Sequence, residues 1–458
     1  RDGPHMTVDR SRLPVPGATR PFHFPAIEKS ALPSGLQLWS VGHSSIPVVT
    51  IAMLIRRGAA DDPPGLEGLA ALTVDMMDEG SGDKSAIEIH EALSRVGAQL
   101  DSDIGADASV ITVTCLNRFL GAALSLLADI VARPSLRDAD FERVRQLRLH
   151  RLTQLRDMPG AVADRAFVRL LYGGHPYGHT PLGNETSLSS LRVDDVRAFH
   201  QTVVQPSDAT LIVAGDCDHA SVQALAAAAF GGWAGAAGAT PVAFPALPQP
   251  PRLNIIPRTG APQSELRIGH VAVSRSTPDY HALVAANMVL GGQFVSRINL
   301  NLREEKGLTY GARTSFDFRR MPGPFSLQVS VQTAGTAQAI HESLEEIAAI
   351  RGSRPVTADE LGLGIAALTR GYARNFETAE QLGRAVSQIA LYDLPDTYFD
   401  DFVPTIERVT AGDITRVTAE YLDPARLTTL VVGDYDAIAH DLGLLDLGVP
   451  SLLSADTF

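Results

Sequence analysis

Two stretches of the chain, DDVRAFHQTVVQPSDATLIVAGDCD at 194–218 and GDITRVTAEYLDPARLTTLVVGDYD at 412–436, repeat one another at a constant offset. Pro206 and Pro424 coincide when the two stretches are superimposed. In both copies an amphipathic helical pattern ends near the proline, and an apolar, β-branched run then stops at Gly-Asp. A fixed offset between similar segments indicates a duplicated domain.

The rest of each half alternates between two periodicities. Strand-like runs such as VVTIAMLI (48–55) and SVITVTCL (109–116) flank the helical run SAIEIHEALSRVG (85–97), and ELRIGHVAV (265–273) opens the second half in the same way. Consecutive strands are close enough in sequence to pair antiparallel. We therefore expect an α+β fold of two similar halves, each an antiparallel or mixed sheet with helices packed on it.

A stretch rich in Ala, Gly and Pro separates the two halves and is typical of a linker. The predicted organisation is an N-terminal tail at 1–23, a first half at 24–233, a linker at 234–252, a second half at 253–450 and a tail at 451–458.

Composition excludes several classes of function. The 458 residues are 45% hydrophobic, enough for a large core, and the formal net charge of -13 disfavours nucleic acid and anionic membrane surfaces as partners. No apolar window approaches the roughly twenty residues of a membrane span. Cys115 and Cys217 match neither a disulfide framework nor a zinc cluster, and we interpret both as structural.

The beginning of the sequence bears on compartment. The opening RDGPHM resembles a remnant of an expression tag, and the Pro-containing segment after it resembles the start of a mature exported protein. Basic residues are almost all Arg, a usage typical of GC-rich bacterial genomes. We expect the bacterial periplasm in preference to the cytoplasm.

The stretch GLAALTVDMMDEGS at 68–81 resembles the metal-binding helix of the pitrilysin-type metallopeptidases, or inverzincins. In that family an H-x-x-E-H motif lies in a frame of the form GLAH..EHM...GT; the two histidines hold zinc and the glutamate activates the bound water. The corresponding positions here are Ala71, Val74 and Asp75. The metal site is therefore degenerate.

The resemblance also places the family's third ligand, a glutamate about 76 residues after the second histidine, at Arg151. Methyl groups and a guanidinium cannot coordinate a divalent cation, and Asp75 alone offers too few donors. We expect Asp75 and Arg151 to form an ion pair where active relatives hold zinc, and no cofactor to be bound by this chain. HPYGH at 175–179 resembles the family's HP-G turn and is interpreted as structural.

A second match, MVLGGQFVSRINLNLREEKGLTYG at 288–311, is similar to the family's GGG.SSRL...LRE..GL.Y stretch. We expect a helix from about Ser296 to Gly307, with Arg303 in its last turn and Tyr310 at the start of the next strand. On the residues alone, Arg303 would be a solvated charge and Tyr310 a half-buried aromatic.

The resemblance gives this pair a catalytic role. In active relatives an Arg and a Tyr at this spacing reach substrate held at the zinc of the opposite half, where they can bind a backbone carbonyl and the developing oxyanion. It also implies that Gly291 and Gly292 line the substrate path. The segment GAQLDSDIGADAS (97–109) would form a sheet edge that receives an extended peptide through Gln99, Leu100 and Asp101.

The resemblance is to the mitochondrial-processing-peptidase-like branch, in which one chain supplies zinc and a second chain faces it. We therefore expect two halves that face each other like a clamshell, and a heterodimer with a homologous subunit that carries an intact H-x-x-E-H motif and zinc. The chain would then help to hydrolyse peptides while being inactive alone. The alternative is a catalytically silent structural or peptide-binding protein of the same fold. A self-standing enzyme is disfavoured, because no G-x-S-x-G, P-loop or Rossmann fingerprint occurs in the needed context.

Overall fold

The structure, a computed structural model, describes residues 22–235 and 245–455. Most of the predicted tail at 1–23, the centre of the predicted linker at 234–252 and the last three residues of the predicted tail at 451–458 lie outside the described residues.

The strands, in chain order, are β1 (Ile27–Ala31), β2 (Gln37–Gly42), β3 (Val48–Ile55), β4 (Gly80–Ser81), β5 (Lys84–Ser85), β6 (Gln99–Ile104), β7 (Ser109–Leu116), β8 (Ala209–Gly215), β9 (Leu253–Pro257), β10 (Gln263–Val273), β11 (Ala312–Phe316), β12 (Gly323–Gln332), β13 (Thr428–Gly433) and β14 (Ser451–Leu452).

The helices are α1 (Leu69–Met77), α2 (Ala86–Arg95), α3 (Leu120–Ala132), α4 (Asp138–Arg156), α5 (Pro159–Tyr172), α6 (Glu185–Ser190), α7 (Val193–Val203), α8 (His219–Phe230), α9 (Tyr280–Leu290), α10 (Arg297–Asn299), α11 (Thr336–Ala349), α12 (Ala358–Thr369), α13 (Ala379–Tyr392), α14 (Tyr398–Glu407), α15 (Ala411–Tyr421) and α16 (Tyr435–Leu442).

Two six-stranded sheets confirm the predicted α+β fold of two similar halves. The first has the order β1-β2-β8-β3-β7-β6 and the second has the order β14-β9-β13-β10-β12-β11. Five positions correspond between the sheets, and the sixth differs: β1 pairs antiparallel with β2, whereas β14 pairs parallel with β9. The exact domain boundaries stay a prediction.

The repeated stretch forms the same unit in each half. Helix α7 is followed by Pro206 and β8, and α15 is followed by Pro424 and β13. Every residue of β8 and β13 is buried, which suits their apolar, β-branched composition and their central places in the sheets. The predicted helix, strand and Gly-Asp turn are therefore confirmed in both copies.

The two halves face each other, and each half contributes a helix that packs on the sheet of the other half. Helix α13 of the second half packs on β3 and β8 of the first sheet, and α5 of the first half packs on β10 and β13 of the second sheet. Each exchange forms an apolar cluster with residues from both halves, for example Leu54 with Val386 and Phe167 with Leu430. A polar contact adds to this: Tyr172 donates to the Pro322 carbonyl at 2.9 Å.

Within the described residues, every helix is too short or too polar to cross a lipid bilayer.

Candidate functional site

The start of α1 is held by a buried carboxylate. Asp62 accepts hydrogen bonds from the Gly68 and Ala70 amides at 2.7 and 2.6 Å, which satisfies donors that a helix N-terminus leaves free. His179 Nε2 lies 3.0 Å from Asp62 Oδ2 and 2.9 Å from the Ala59 carbonyl. The last histidine of the HPYGH turn thus supports the helix that carries the degenerate motif.

The first histidine of that turn has a separate environment. His175 is buried, and its Nδ1 accepts a hydrogen bond from the Tyr177 amide at 3.0 Å. Burial lowers the pKa of His175, which favours the neutral ring. The two histidines thus have different partners, as the structural interpretation of HPYGH requires.

The three motif positions on α1 offer a metal only one donor side chain. Ala71 and Val74 are buried, and Val74 belongs to the apolar core beneath the first sheet. Only Asp75 presents a donor, and its side chain is 35% exposed. Ala71 and Val74 therefore serve the packing of the helix, whereas a zinc site would need imidazole or carboxylate groups.

The ion-pair partner of Asp75 differs from the prediction. Asp75 pairs with Arg148 of α4, whose other nitrogen donates to the Pro181 carbonyl at 2.8 Å. Arg151, the predicted partner, is exposed. The reason is the helical stripe: α4 buries residues 141, 144, 148 and 152, so position 148 faces α1 while position 151 lies beside the packed face.

These residues do not fit zinc. Burial raises the pKa of Asp75 despite the opposing effect of the Arg148 guanidinium, and the carboxylate is already engaged by that cation. Among the described residues no group of three or more His, Cys, Asp or Glu side chains is arranged to hold a metal ion. The positive charge of Arg148 balances the negative charge of Asp75, the one motif position that carries a carboxylate.

The edge of the first sheet lies next to this helix. Strand β6 pairs with β7 on one side, and α1 packs beside it. The Gly105 amide donates a hydrogen bond to the Ala108 carbonyl at 2.9 Å. Because hydrogen-bonded and non-hydrogen-bonded pairs alternate along an antiparallel ladder, the backbone N–H and C=O groups of Leu100, Ser102 and Ile104 point away from β7. No other strand of the described residues pairs with that side.

The predicted substrate-binding residues lie on this edge strand. Gln99 and Asp101 are exposed, whereas Leu100 is half-buried against the core of the first half. Asp103 is exposed as well, so two carboxylates border the edge. Binding of a peptide by Gln99, Leu100 and Asp101 stays a prediction.

The corresponding edge of the second sheet is closed. Asn299 accepts a hydrogen bond from the Ala312 amide at 2.8 Å and donates to the Ala312 carbonyl at 2.7 Å. The Gly291 carbonyl accepts from the Thr314 amide at 3.1 Å. These bonds use the outward backbone groups at two positions of β11. The sequence analysis did not identify Asn299. The feature that could have identified it is an asparagine, a weak helix former, within an apolar helical run.

The two predicted substrate-path glycines are needed for packing. A Cβ at Gly291 would lie 2.6 Å from the Thr314 side chain, and one at Gly292 would lie 2.6 Å from Asn287 Nδ2. Gly291 is buried. The missing side chains allow the end of α9 to approach β11, and a place on the substrate path stays a prediction.

The segment that carries Arg303 departs from a regular helix. The predicted helix from Ser296 to Gly307 is a short α10 followed by a π-helical stretch, Leu300–Glu305, with Gly307 in a left-handed conformation at φ 64°. The π-helix follows from a backbone bond between residues 306 and 301 and could not be read from side-chain periodicity. Such stretches are frequent at functional sites.

Arg303 and Tyr310 lie in the same connection to β11 but in opposite environments. The Arg303 side chain is 11% exposed; its Nε donates to Glu304 at 2.8 Å and its guanidinium stacks on the Phe294 ring. Tyr310 is 97% exposed and lies two residues before β11, where the prediction placed it at the start of the strand. Both residues belong to the second half, whereas Asp75 lies on α1 of the first.

Comparisons with known proteins agree with this arrangement. The family model described as insulinase (peptidase family M16) matches residues 40–184, and the model described as the peptidase M16 inactive domain matches residues 190–368. Two solved structures share the fold at a TM-score of 0.83. One is titled a peptidase M16 inactive domain from Pseudomonas fluorescens (21% identity, 89% of this chain and 98% of that chain). The other is titled a protease from Helicobacter pylori (20%, 89% and 99%).

Curated relatives include an uncharacterised zinc protease of Streptomyces coelicolor, 22% identical over 404 residues that cover 86% of this chain and 87% of the relative. The beta subunit of the mitochondrial-processing peptidase of Lentinula edodes is 22% identical over 273 residues, 58% of each chain. Two adjacent models of one family together span most of the chain, and the second of them begins within the first half, before α7. The family predicted from the sequence is thereby confirmed, and the chain belongs to peptidase family M16.

Proposed function

We propose that this chain is the zinc-free subunit of a two-chain M16 peptidase, supplying Arg303 and Tyr310 to a peptide held at the zinc of a homologous partner. The contrast between the two halves carries the proposal. In the first half, Ala71 and Val74 carry no metal donor and Asp75 is paired with Arg148. In the second half, Tyr310 is almost fully exposed in the connection to β11 that follows the π-helical stretch holding Arg303.

The names of similar proteins also support this proposed function. Several similar chains are called zinc proteases, and one is called a subunit of a processing peptidase. A structural neighbour is titled an inactive domain of the family. These names support both parts of the proposal, a zinc peptidase built from subunits and a chain of the family that is inactive alone.

The chemistry assigned to this chain is transition-state binding. The exposed Tyr310 hydroxyl can donate a hydrogen bond to the scissile carbonyl oxygen as negative charge develops, and the Arg303 guanidinium can bind a neighbouring backbone carbonyl. Zinc in the partner would supply the activated water. Removing one such donor typically lowers kcat by about a hundred- to a thousand-fold.

The open edge of β6 supports a peptide as the ligand. Outward backbone groups at Leu100, Ser102 and Ile104 can pair with an extended chain, which adds as a further strand. The exposed carboxylates of Asp101 and Asp103 favour basic side chains in that chain. We also propose export to the bacterial periplasm, which fractionation of the native host would test.

Activity of the mixed subunits tests the proposal. The chain is combined with an M16 chain of the same genome that carries H-x-x-E-H, and cleavage of a quenched fluorescent peptide is followed. We expect activity only in the mixture, and a loss of about a hundred-fold or more for Arg303→Ala and Tyr310→Phe. Arg313→Ala, an exposed arginine on β11, is the matched control and should leave the rate within about two-fold.

The second candidate is a catalytically silent structural or peptide-binding protein, and the open edge of β6 favours it because such an edge binds peptide without any metal. Peptide binding by the mixture with no gain in cleavage, and equal behaviour of Arg303→Ala and wild type, would establish this candidate instead.

A further inference from the structure

Phe294 makes two contacts with Arg303. The Phe294 ring centroid lies 3.3 Å from Arg303 Cζ, and the Phe294 carbonyl accepts a hydrogen bond from Arg303 Nη2 at 3.2 Å. The Phe294 side chain itself is 70% exposed. Core packing therefore does not account for its position, whereas the stacked guanidinium does.

The guanidinium is held on several sides. Nε donates to Glu304 at 2.8 Å, Nη2 donates to the Phe294 carbonyl, and the ring covers one face. Nη1 is shielded from water and has no hydrogen-bond partner among the described residues. A buried donor without a partner is uncommon and calls for an explanation, one of which is a ligand that it binds.

We propose that Phe294 is a positioning residue for Arg303: its ring and carbonyl fix the plane of the guanidinium so that Nη1 is ready to bind an oxygen of the peptide. This inference rests on the proposed function. A free arginine side chain has many rotamers, and ordering it in advance removes that cost from the binding step.

The test measures kcat and KM of the mixed subunits for a set of Phe294 variants. Phe294→Ala should lower kcat by about ten- to a hundred-fold with a smaller effect on KM, because the guanidinium loses its fixed geometry. Phe294→Tyr keeps the aromatic face and should stay within about three-fold of wild type, while Phe294→Leu, with bulk but no aromatic face, should resemble the alanine variant. Val295→Ala, at the neighbouring half-exposed position, is the control.

A double-mutant cycle distinguishes positioning from an independent effect. If Phe294 acts through Arg303, the Phe294→Ala/Arg303→Ala double variant is no slower than Arg303→Ala alone. Multiplied losses in the double variant, or a higher kcat/KM for Phe294→Ala, would overturn the inference; the second result would make the ring a cover that hinders the arginine.

Failure of the wider proposal gives a different pattern. If Arg303→Ala has no effect in the mixture, the proposed function fails; if it has its effect and Phe294→Ala has none, only the positioning role fails. A measurement without the partner completes the test. The Nε–H NMR signal of Arg303, assigned with Arg303→Lys, should be shifted away from those of exposed arginines, and Phe294→Ala should return it to them. An unchanged signal would contradict positioning.

Discussion

The two edge strands β6 and β11 occupy equivalent places in similar sheets, yet in the part of the chain that the structure describes only β6 is open. The outward backbone groups of β6 face away from its partner β7, whereas Asn299 and the Gly291 carbonyl bind those of β11. An unpaired edge is a template for another chain, and proteins close such edges unless they use them. The first half thus combines an open strand edge with a motif helix that lacks metal donors, while the second half combines a closed edge with the Arg303 and Tyr310 side chains.

The largest expected effect comes from opening the closed edge. Asn299→Ala removes both side-chain bonds to Ala312, whose amide and carbonyl are buried, and should lower the free energy of unfolding by about 3 kcal/mol. Urea unfolding measures this change. Asn375→Ala, at an exposed asparagine, should stay within about 0.5 kcal/mol of wild type. Equal midpoints for both variants would show that the closure of β11 contributes nothing to stability.

The next test removes the cation that replaced the metal ligands. Arg148→Ala leaves Asp75 half-buried and unpaired and should cost about 2 kcal/mol at pH 7, less than for a fully buried pair because Asp75 is partly exposed. Arg151→Ala, three residues along the same helix, should cost less than about 0.5 kcal/mol. The opposite ranking would restore Arg151 as the partner.

The difference in stability between Arg148→Ala and wild type should also depend on pH, because the charge of Asp75 does. Burial raises the folded-state pKa of Asp75 above its ordinary value of 3.8, so the folded state takes up the proton more readily than the unfolded chain. The cost of the charged carboxylate is therefore present at neutral pH and is relieved as the pH falls through the raised pKa towards 3.8. Without Arg148 the pKa rises further, so the deficit of Arg148→Ala relative to wild type should shrink between pH 7 and pH 4. A constant deficit would contradict the assignment.

A smaller effect is expected where α9 approaches the closed edge. Gly291→Ala places a methyl group 2.6 Å from the Thr314 side chain, and the required shift should cost about 1–2 kcal/mol. Gly362 lies in α12 with open space around it, so Gly362→Ala should stabilise the protein by up to about 1 kcal/mol. Thermal unfolding of the two variants should therefore shift in opposite directions.

The smallest change in stability is expected for a substitution that closes the open edge of β6. Ser102→Pro removes an amide that points away from β7 and should cost less than about 1 kcal/mol, whereas Asp103→Pro removes a ladder bond and should cost about 3 kcal/mol. If peptides add to this edge, Ser102→Pro should still abolish their binding in a fluorescence anisotropy titration. Unchanged binding would direct the search for the peptide site away from β6.

The sequence was sufficient for features that depend on local periodicity. Strands such as β3 and β7, helix α2 and the repeated α7–β8 and α15–β13 units follow from patterns of two and 3.6 residues, which neighbouring residues determine. The loss of a zinc-binding histidine at Ala71 and of the water-activating glutamate at Val74 was equally visible, because the residue type at a motif position is read directly from the sequence.

Other features depended on contacts that the sequence does not show. A count of residues pointed to Arg151, but the packed face of α4 presents Arg148 to Asp75. The π-helical stretch and the closure of β11 by Asn299 arise from bonds between residues whose spacing fits no simple period. The exchange of α5 and α13 was also hidden, because an apolar helical face does not identify which sheet it will cover.

The exchanged helices have a consequence for how such a chain can be divided. Because α5 covers the second sheet and α13 covers the first, the connection between Phe230 and Leu253 is not what keeps the halves together. A chain cut there would remain a single particle, since separation would uncover two apolar sheet faces at once. Either piece made alone would lack a helix that only the other can provide, so a split gene would succeed only when both fragments are produced in the same cell.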